Sequence, residues 1–423
     1  MVPRVGKPAT ASRIAIACAI LAALAGCGST LRGALSAPAG ASPSAQVVSG
    51  ACSQAVLDAL GHVALRAYRE GVASERTRSA LSFIARSLPL RRAVERGDPQ
   101  AARAAAQALL ATGHLTNLRV LRAGQVLADV GPAGALAPLH GAIAGTGGAP
   151  IGTFDASVWA DDGFVAEAGG IAEGIALLRQ NGRTVAGSLP LGSGEPPPHG
   201  TLTVAGSAYA YTSFPAAVYP AGRLRVYLFK SISSIAPLCA ANPEDTLVNT
   251  LSRVARLIYT SEGGGHALTQ VRRVQRYEPL LRAVAARDPA ATRRAVEDLL
   301  HQHVVRLRVS TGARLLTDVG GPYVLAPVRA PLRLNGRRIG SIELSIQDDE
   351  GYKRLAERLA GLKVLMYMGS RLVKNSLGPS PGAVPSHGTY RYRGHTFRVH
   401  TLHAHAFPSG PLRIAVLIPI PYP

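Results

Sequence analysis

At 423 residues the chain has room for two or three domains, each large enough to bury a core without metal or disulfide help. With 46 Lys and Arg against 25 Asp and Glu, its formal charge of +21 favours acidic surroundings such as anionic lipid headgroups or cell-wall polymers. The basic residues are mostly scattered arginines with no run of five, so no nucleic-acid partner is expected. Absence of a G-x-S-x-G elbow, an H-E-x-x-H pair, a P-loop or a paired-Cys zinc pattern argues against an enzyme and against a cofactor.

Arg4, Lys7 and Arg13 precede an apolar stretch, Ile14 to Gly26, that is too short for a stable membrane span. It ends in Leu24-Ala25-Gly26-Cys27, which resembles the lipobox of bacterial lipoproteins. The resemblance implies a signal peptide over residues 1–26, cleavage before Cys27, and lipid on the sulfur and new amino group of Cys27. Several acyl chains on one residue anchor durably, so the expected place is the extracytoplasmic face of the cell membrane. Residues 27–50, rich in Ser, Ala, Gly and Pro, read as a flexible linker.

Two domains then follow, over residues 51–238 and 239–423. The first begins with Val56, Leu60, Val63 and Ala67 at helical spacing, and Leu81, Ile84 and Leu88 mark a second helix. Asp98-Pro99 caps and opens a third. Next come "NLRVLRAGQVLADVGPAGALAPL" (Asn117 to Leu139) and a strand in which Phe154, Ala156 and Val158 oppose Thr153, Asp155 and Ser157. The second domain repeats all of this. "RLRVSTGARLLTDVGGPYVLAPV" (Arg306 to Val328) answers the earlier stretch, with Asp318 at an offset of 189 from Asp129. "RAVERGDP" (Arg92 to Pro99) answers "RAVAARDP" (Arg282 to Pro289) at 190, and His199-Gly200 answers His387-Gly388 at 188. So small a drift means one domain present twice.

The second copy opens a helix at Asn242-Pro243-Glu244 and caps another at Asp288-Pro289. Asn335-Gly336 suits a type I′ hairpin turn. Ile342, Leu344 and Ile346 then alternate with polar residues, and Tyr352, Leu355, Leu359 and Leu362 form a helical stripe. Three more strands are expected around Val364 to Tyr367, Thr389 to His400 with a bend at Gly394, and Leu412 to Ile418. A Pro/Gly loop, Gly378 to Gly388, precedes the last pair and matches Gly192 to Gly200.

Helices first, then an antiparallel sheet interrupted by a helix, resembles the Cache (PDC) family of extracytoplasmic sensor domains, related to PAS. "APLRLNGRRIGSIELSIQDDEGYKRLAERL" (Ala330 to Leu359) and "IGTFDASVWADDGF" (Ile151 to Phe164) carry the resemblance. It implies an α+β protein of two tandem Cache-like domains that binds a small amino acid, carboxylate or amine over the sheet. Cache domains usually sit between two membrane helices. Here Pro423 follows a strand, so the expectation is a separate signalling protein as partner. The rival reading is a structural envelope lipoprotein whose basic surface holds anionic wall polymers or lipid headgroups.

Asp129, Trp159, Asp161, Asp318, Tyr323 and Asp349 are the ligand candidates. A carboxylate ahead of Gly, as at Asp129 and Asp318, can receive an amine but more often bonds its own turn; Asp161 and Asp349 stand at a strand-to-helix junction where a helix N-cap is the first expectation. Trp159, the sole Trp, is wall or core, and Gln347 replaces it in the second copy. No metal is expected. His400, His403 and His405 are weak candidates, with His403 and His405 sharing a strand face and no carboxylate or Cys nearby. Finally, Cys18 leaves with the signal and Cys27 is taken by lipid. Both ends of a membrane-tethered Cache domain lead to the membrane, so the resemblance implies that Cys52 and Cys239 lie side by side and form a disulfide closing the first domain.

Overall fold

A computed structural model describes residues 49–111, 114–261, 265–300, 304–408 and 410–422. The signal peptide, Cys27 and nearly all of the linker lie outside the described residues. In the first repeat α1 (Gly50–Ala73), α2 (Glu75–Arg86), α3 (Leu88–Arg96) and α4 (Pro99–Leu110) lead into β1 (Asn117–Arg122), β2 (Gln125–Val130), β3 (Ala135–Ala144) and β4 (Pro150–Ala160). After α5 (Asp161–Ala172) come β5 (Ile175–Gln180), β6 (Arg183–Ala186), β7 (His199–Val204), β8 (Ser207–Ala217) and β9 (Arg223–Ser231), then the short α6 (Ile232–Ile235).

The second repeat follows the same plan. Its helices are α7 (Pro243–Ser261), α8 (Gly265–Gln275), α9 (Glu278–Ala285) and α10 (Pro289–Leu300). Its first strands are β10 (Arg306–Thr311), β11 (Arg314–Gly320), β12 (Tyr323–Leu325), β13 (Val328–Leu334), β14 (Arg337–Ser345) and β15 (Gln347–Asp348). α11 (Asp349–Ala360) precedes β16 (Lys363–Met368), β17 (Arg371–Asn375), β18 (Gly388–Tyr392), β19 (His395–Pro408) and β20 (Gly410–Ile420).

Each repeat therefore holds two antiparallel sheets, and the inserted helix stands at the join between them. The smaller sheets run β2-β1-β4-β3 and β11-β10-β14-β13. The larger sheet of the first repeat runs β6-β5-β9-β8-β7, with its first strand paired to its last. In the second repeat β17-β16-β20-β19 repeats that order, β18 pairs with β19, and β12 and β15 extend the sheet beyond β19. This is the tandem PAS-like α+β architecture. Its strands alternate as the sequence requires: Phe154 and Ala156 are buried on β4, and Ile342 and Leu344 on β14.

Some local features differ from expectation for identifiable reasons. Leu88 does not extend the second helix. Ser87 caps a new one by accepting from the Leu90 N–H at 3.4 Å, and Pro89 occupies its first turn. Gly394 is no bend: Arg393 and Gly394 have φ of 48° and 80°, which closes a two-residue turn between β18 and β19. Asn335 and Gly336, at 51° and 78°, make the expected turn of the same kind. β6 and β17 were not visible as strands, being four and five residues long with little burial.

The long helix α1 belongs to both repeats. Val56, Leu57, Leu60 and Val63 share one buried cluster with Leu251, Val254 and Ala255 of α7, and with Tyr352 and Ala356 of α11. Each such Val or Leu contributes about 1.5–3 kcal/mol of burial. Arg253 of α7 pairs with Glu173 at the end of α5, Nε to carboxylate 2.9 Å, which adds a polar tie across the same boundary. Cys52 and Cys239 are joined by a disulfide, Cα atoms 5.7 Å apart, at the start of α1. Among the described residues no helix is long and apolar enough to cross a membrane.

Candidate functional site

The join between the two sheets of each repeat lies against the long helix that opens it. In the first repeat Tyr68 of α1 accepts a hydrogen bond from the Ala217 N–H at 3.0 Å, so its hydroxyl holds the end of β8. Its ring meets Phe164 of α5 edge-on at 5.7 Å, and Phe164 meets Trp159 of β4 edge-on at 5.4 Å. Such pairs contribute about 0.5–1.5 kcal/mol beyond burial and fix ring orientation. The Ser157 hydroxyl donates to the Leu136 carbonyl and so ties β4 to β3.

Two side chains at this join approach backbone that only glycine permits. A Cβ at Gly71 of α1 would overlap the Trp159 indole nitrogen, and one at Gly134 would overlap an Asp161 carboxylate oxygen. Both side chains carry a buried polar atom, the Trp159 Nε1 donor and the Asp161 Oδ1 acceptor, with no partner among the described residues. Asp161 sits in the first turn of α5 but does not cap it, since that helix has no side-chain cap. Burial, and then the neighbouring Asp162, push its carboxyl above the ordinary range.

The second repeat keeps this frame and changes the chemistry. Tyr259 accepts from the His405 N–H at 3.4 Å, Tyr352 replaces Phe164 and donates to the Ala255 carbonyl at 3.0 Å, and Ser345 donates to the Leu325 carbonyl. Gln347 replaces Trp159, and its Oε1 is likewise buried without a partner among the described residues. Asp348, one residue before the candidate Asp349, caps α11 by accepting from the Gly351 N–H at 2.6 Å. Asp349 faces Lys374 at 3.3 Å, so its charge is already met.

The remaining candidates lie elsewhere in the fold. Asp129 accepts from Arg119 directly across the β1–β2 pair at 2.8 and 2.6 Å, and from the Tyr219 hydroxyl at 3.3 Å. Asp318 accepts from Arg306 at 2.8 Å and from Arg308 at 3.0 and 2.8 Å. Burial opposes its ionisation, but the two guanidiniums hold it below the ordinary carboxylate range. The same arginines lie over the Phe407 ring at 5.4 and 4.6 Å. Tyr323 accepts from Arg371 on β17. The carboxylates of Asp129 and Asp318 thus have arginine partners supplied by the preceding strand of the hairpin, which one-dimensional motif reading does not register.

His403 and His405 are exposed on one face of β19, whereas the unbroken register with β20 puts His400 on the other. Burial, then Arg256, lowers the His400 pKa. Among the described residues no group of three His, Cys, Asp or Glu side chains is placed to hold a metal ion. Gly71, Gly134, Tyr68 and Phe164 were missed as site residues. A signal existed for the tyrosine, because Tyr68 and Tyr259 both fall in the last two turns of the long helices that open the two copies.

No protein-family model and no curated protein matches the chain. Among solved structures, the periplasmic domain of Vibrio cholerae LuxQ matches 43% of this chain and 98% of its own length, at 10% identity and a TM-score of 0.26. An extracellular ligand binding receptor from Desulfohalobium retbaense matches 52% of this chain at 10% identity and a TM-score of 0.24, and the chain spans 47% of that receptor. Neither likeness is close enough to argue from, and the architecture rests on the strand orders.

Proposed function

We propose that the chain is an extracytoplasmic sensory protein, anchored by lipid at Cys27, that binds a small molecule at the sheet join of its first repeat. The observation that carries this reading is the pair of unmet buried groups, Trp159 Nε1–H and Asp161 Oδ1. Buried polar atoms almost always have a partner, so a donor–acceptor pair left open in one junction calls for one from outside. An ammonium would satisfy the carboxylate and a carbonyl or carboxylate oxygen the indole, which suits an amino acid or related amine. α1 then supplies the route outward. Gly71 touches the Trp159 ring near one end, while the other end packs on α7 and α11, so a shift at the junction reaches the second repeat and, through it, a separate signalling protein.

Trp159 is the chain's only tryptophan and reports directly on its own site. Titration with amino acids and small amines should change its emission saturably, and Asp161→Asn should weaken that binding at least tenfold. A panel in which no compound moves the emission or the melting temperature would overturn the assignment. Loss of acyl labelling in Cys27→Ser checks the anchor independently.

A further inference from the structure

The second repeat has a basic cleft of about 600 Å³ where α9, the end of β10 and the β13–β14 hairpin meet. Arg287, Arg337 and Arg338 line it together with Thr311, Asn335 and Ser341, and no carboxylate does. Among the described residues none of these three arginines has an acidic partner within 4.0 Å. The groove beside it is different: there Arg308 and Arg329 are paired with Asp318 and Glu343. The Thr311 hydroxyl is buried in the cleft wall and also lacks a partner among the described residues.

Comparison with the first repeat shows that the fold does not need these groups. Both copies end the corresponding helix with the same pair of hydrogen bonds. Gly97 N–H reaches the Val94 carbonyl at 3.1 Å and Asp98 N–H the Ala93 carbonyl at 3.0 Å; Arg287 and Asp288 do the same to Val284 and Ala283 at 3.1 and 3.0 Å. That turn requires a left-handed residue, with φ of 65° at Gly97 and 55° at Arg287. Glycine takes this conformation freely and arginine takes it under strain. In the first copy Arg122 lies across Gly97, so closely that a Cβ there would overlap its guanidinium. The second copy has the short Thr311 in place of Arg122, which leaves the space open. On the hairpin, Ala149 and Pro150 become Arg337 and Arg338.

We propose that this cleft binds an anion bearing two or more closely spaced phosphate or carboxylate groups. Three unpaired guanidiniums offer forked donors that match such groups bidentately, and the volume exceeds what a single phosphate fills. A strained arginine on the rim, where the sister copy keeps glycine, follows from a need for its charge. The shared chemistry admits a soluble oligoanion or a row of anionic lipid headgroups. No residue of the Trp159 junction lines the cleft, and the proposal does not depend on that junction.

The test is calorimetric titration of the full chain with tripolyphosphate and with citrate at about 150 mM salt, where diffuse surface attraction is screened, and co-sedimentation with phosphatidylglycerol vesicles. The expected result is one saturable site for at least one of these probes. Arg337→Gln with Arg338→Gln should weaken it at least tenfold. Arg287→Gly should weaken it about fivefold while raising the melting temperature, which separates lost binding from lost folding. Vesicle binding that the double variant loses, without binding of either soluble anion, would support the site and assign the anion to headgroups. Two outcomes would overturn it. One is no binding of any probe; the other is equal weakening by a control pair of the same charge change, Arg78→Gln with Arg86→Gln on α2.

Discussion

The two repeats have the same frame and different contents. Both place a helix tyrosine on the end of a long strand, a serine hydroxyl on the facing carbonyl, and an aromatic ring at the start of the inserted helix. What each frame surrounds differs. At matching positions of the large sheets the first repeat has Arg179, fully buried, donating to Thr184 at 2.9 Å and to the carbonyls of Gly182, Gly192 and Gly194 at 2.6, 2.9 and 2.6 Å. The second has Tyr367, whose ring lies under Arg413 at 4.2 Å, and its loop is held by Tyr390 and Tyr392 donating to Pro381 and Pro379. The buried Arg179, joined by Tyr227 donating to the Pro196 carbonyl at 2.7 Å, closes in one copy the loop that two tyrosines close in the other. Helix caps, turn glycines and strand alternation specify the fold, and residues outside those duties were free to diverge into different chemistry. The unpaired junction carboxylate belongs to one copy and the basic cleft to the other.

The sharpest way to break this symmetry is to separate the copies. Their sequences alone suggest two independent units joined near Cys239 to Asn242. The apolar face that α7 and α11 turn toward α1 argues otherwise, because Val254, Ala255, Tyr352 and Ala356 are buried against residues of the first copy. A fragment of residues 241–423 should therefore bind a hydrophobic dye and lose cooperative unfolding, whereas residues 49–423 should unfold in one transition. A cooperative, dye-negative fragment would show that the second copy completes its own core.

Next in size is the disulfide. Cys52 and Cys239 enclose a separation of 187 residues, for which the chain-entropy account gives at most about 5 kcal/mol. Removal of such a bond more often costs about 2–5 kcal/mol. Because Cys52 lies in the cluster shared by both copies, reduction should lower one common transition and not that of the first copy alone. Melts with and without reductant, beside non-reduced peptide mapping, check both points. Two free thiols in the oxidised protein would remove the basis for the expectation.

The frame was legible in the sequence because its signals are local. Asp98-Pro99, Asn335-Gly336 and the alternation in β4 and β14 each act within a few residues. The division of each repeat into two sheets was not legible, since pairing of β1 with β4 and of β5 with β9 depends on contacts dozens of residues apart. The site was legible in part. Trp159 and Asp161 stand close in sequence and share a junction, but the helix that completes it contributes Tyr68 and Gly71 from about ninety positions upstream. Asp129 and Asp318 looked available because their arginine partners sit across a hairpin, where register and not sequence distance decides who meets whom.

The smallest expected effect concerns Asp161, whose carboxylate lacks, among the described residues, the lysine partner that Asp349 has at the matching position of the second repeat. Its folded pKa is raised, so folding favours the protonated carboxyl. The corresponding stability is fully present below the ordinary carboxylate pKa of about 4 and is lost as pH rises through the raised value. At neutral pH, without ligand, the ionised group is therefore a net cost. Asp161→Asn should melt about 1–3 °C higher than the natural chain at pH 7, and the difference should close as pH falls below about 4. In the second repeat Asp349→Asn should move the other way at pH 7, because it removes a carboxylate that Lys374 already neutralises at 3.3 Å. Melting curves of the two variants at pH 7 and below 4 decide the matter. Equal shifts of the same sign in both would mean that the junctions are electrostatically alike, and the contrast between an unpaired first carboxylate and a paired second one would fail.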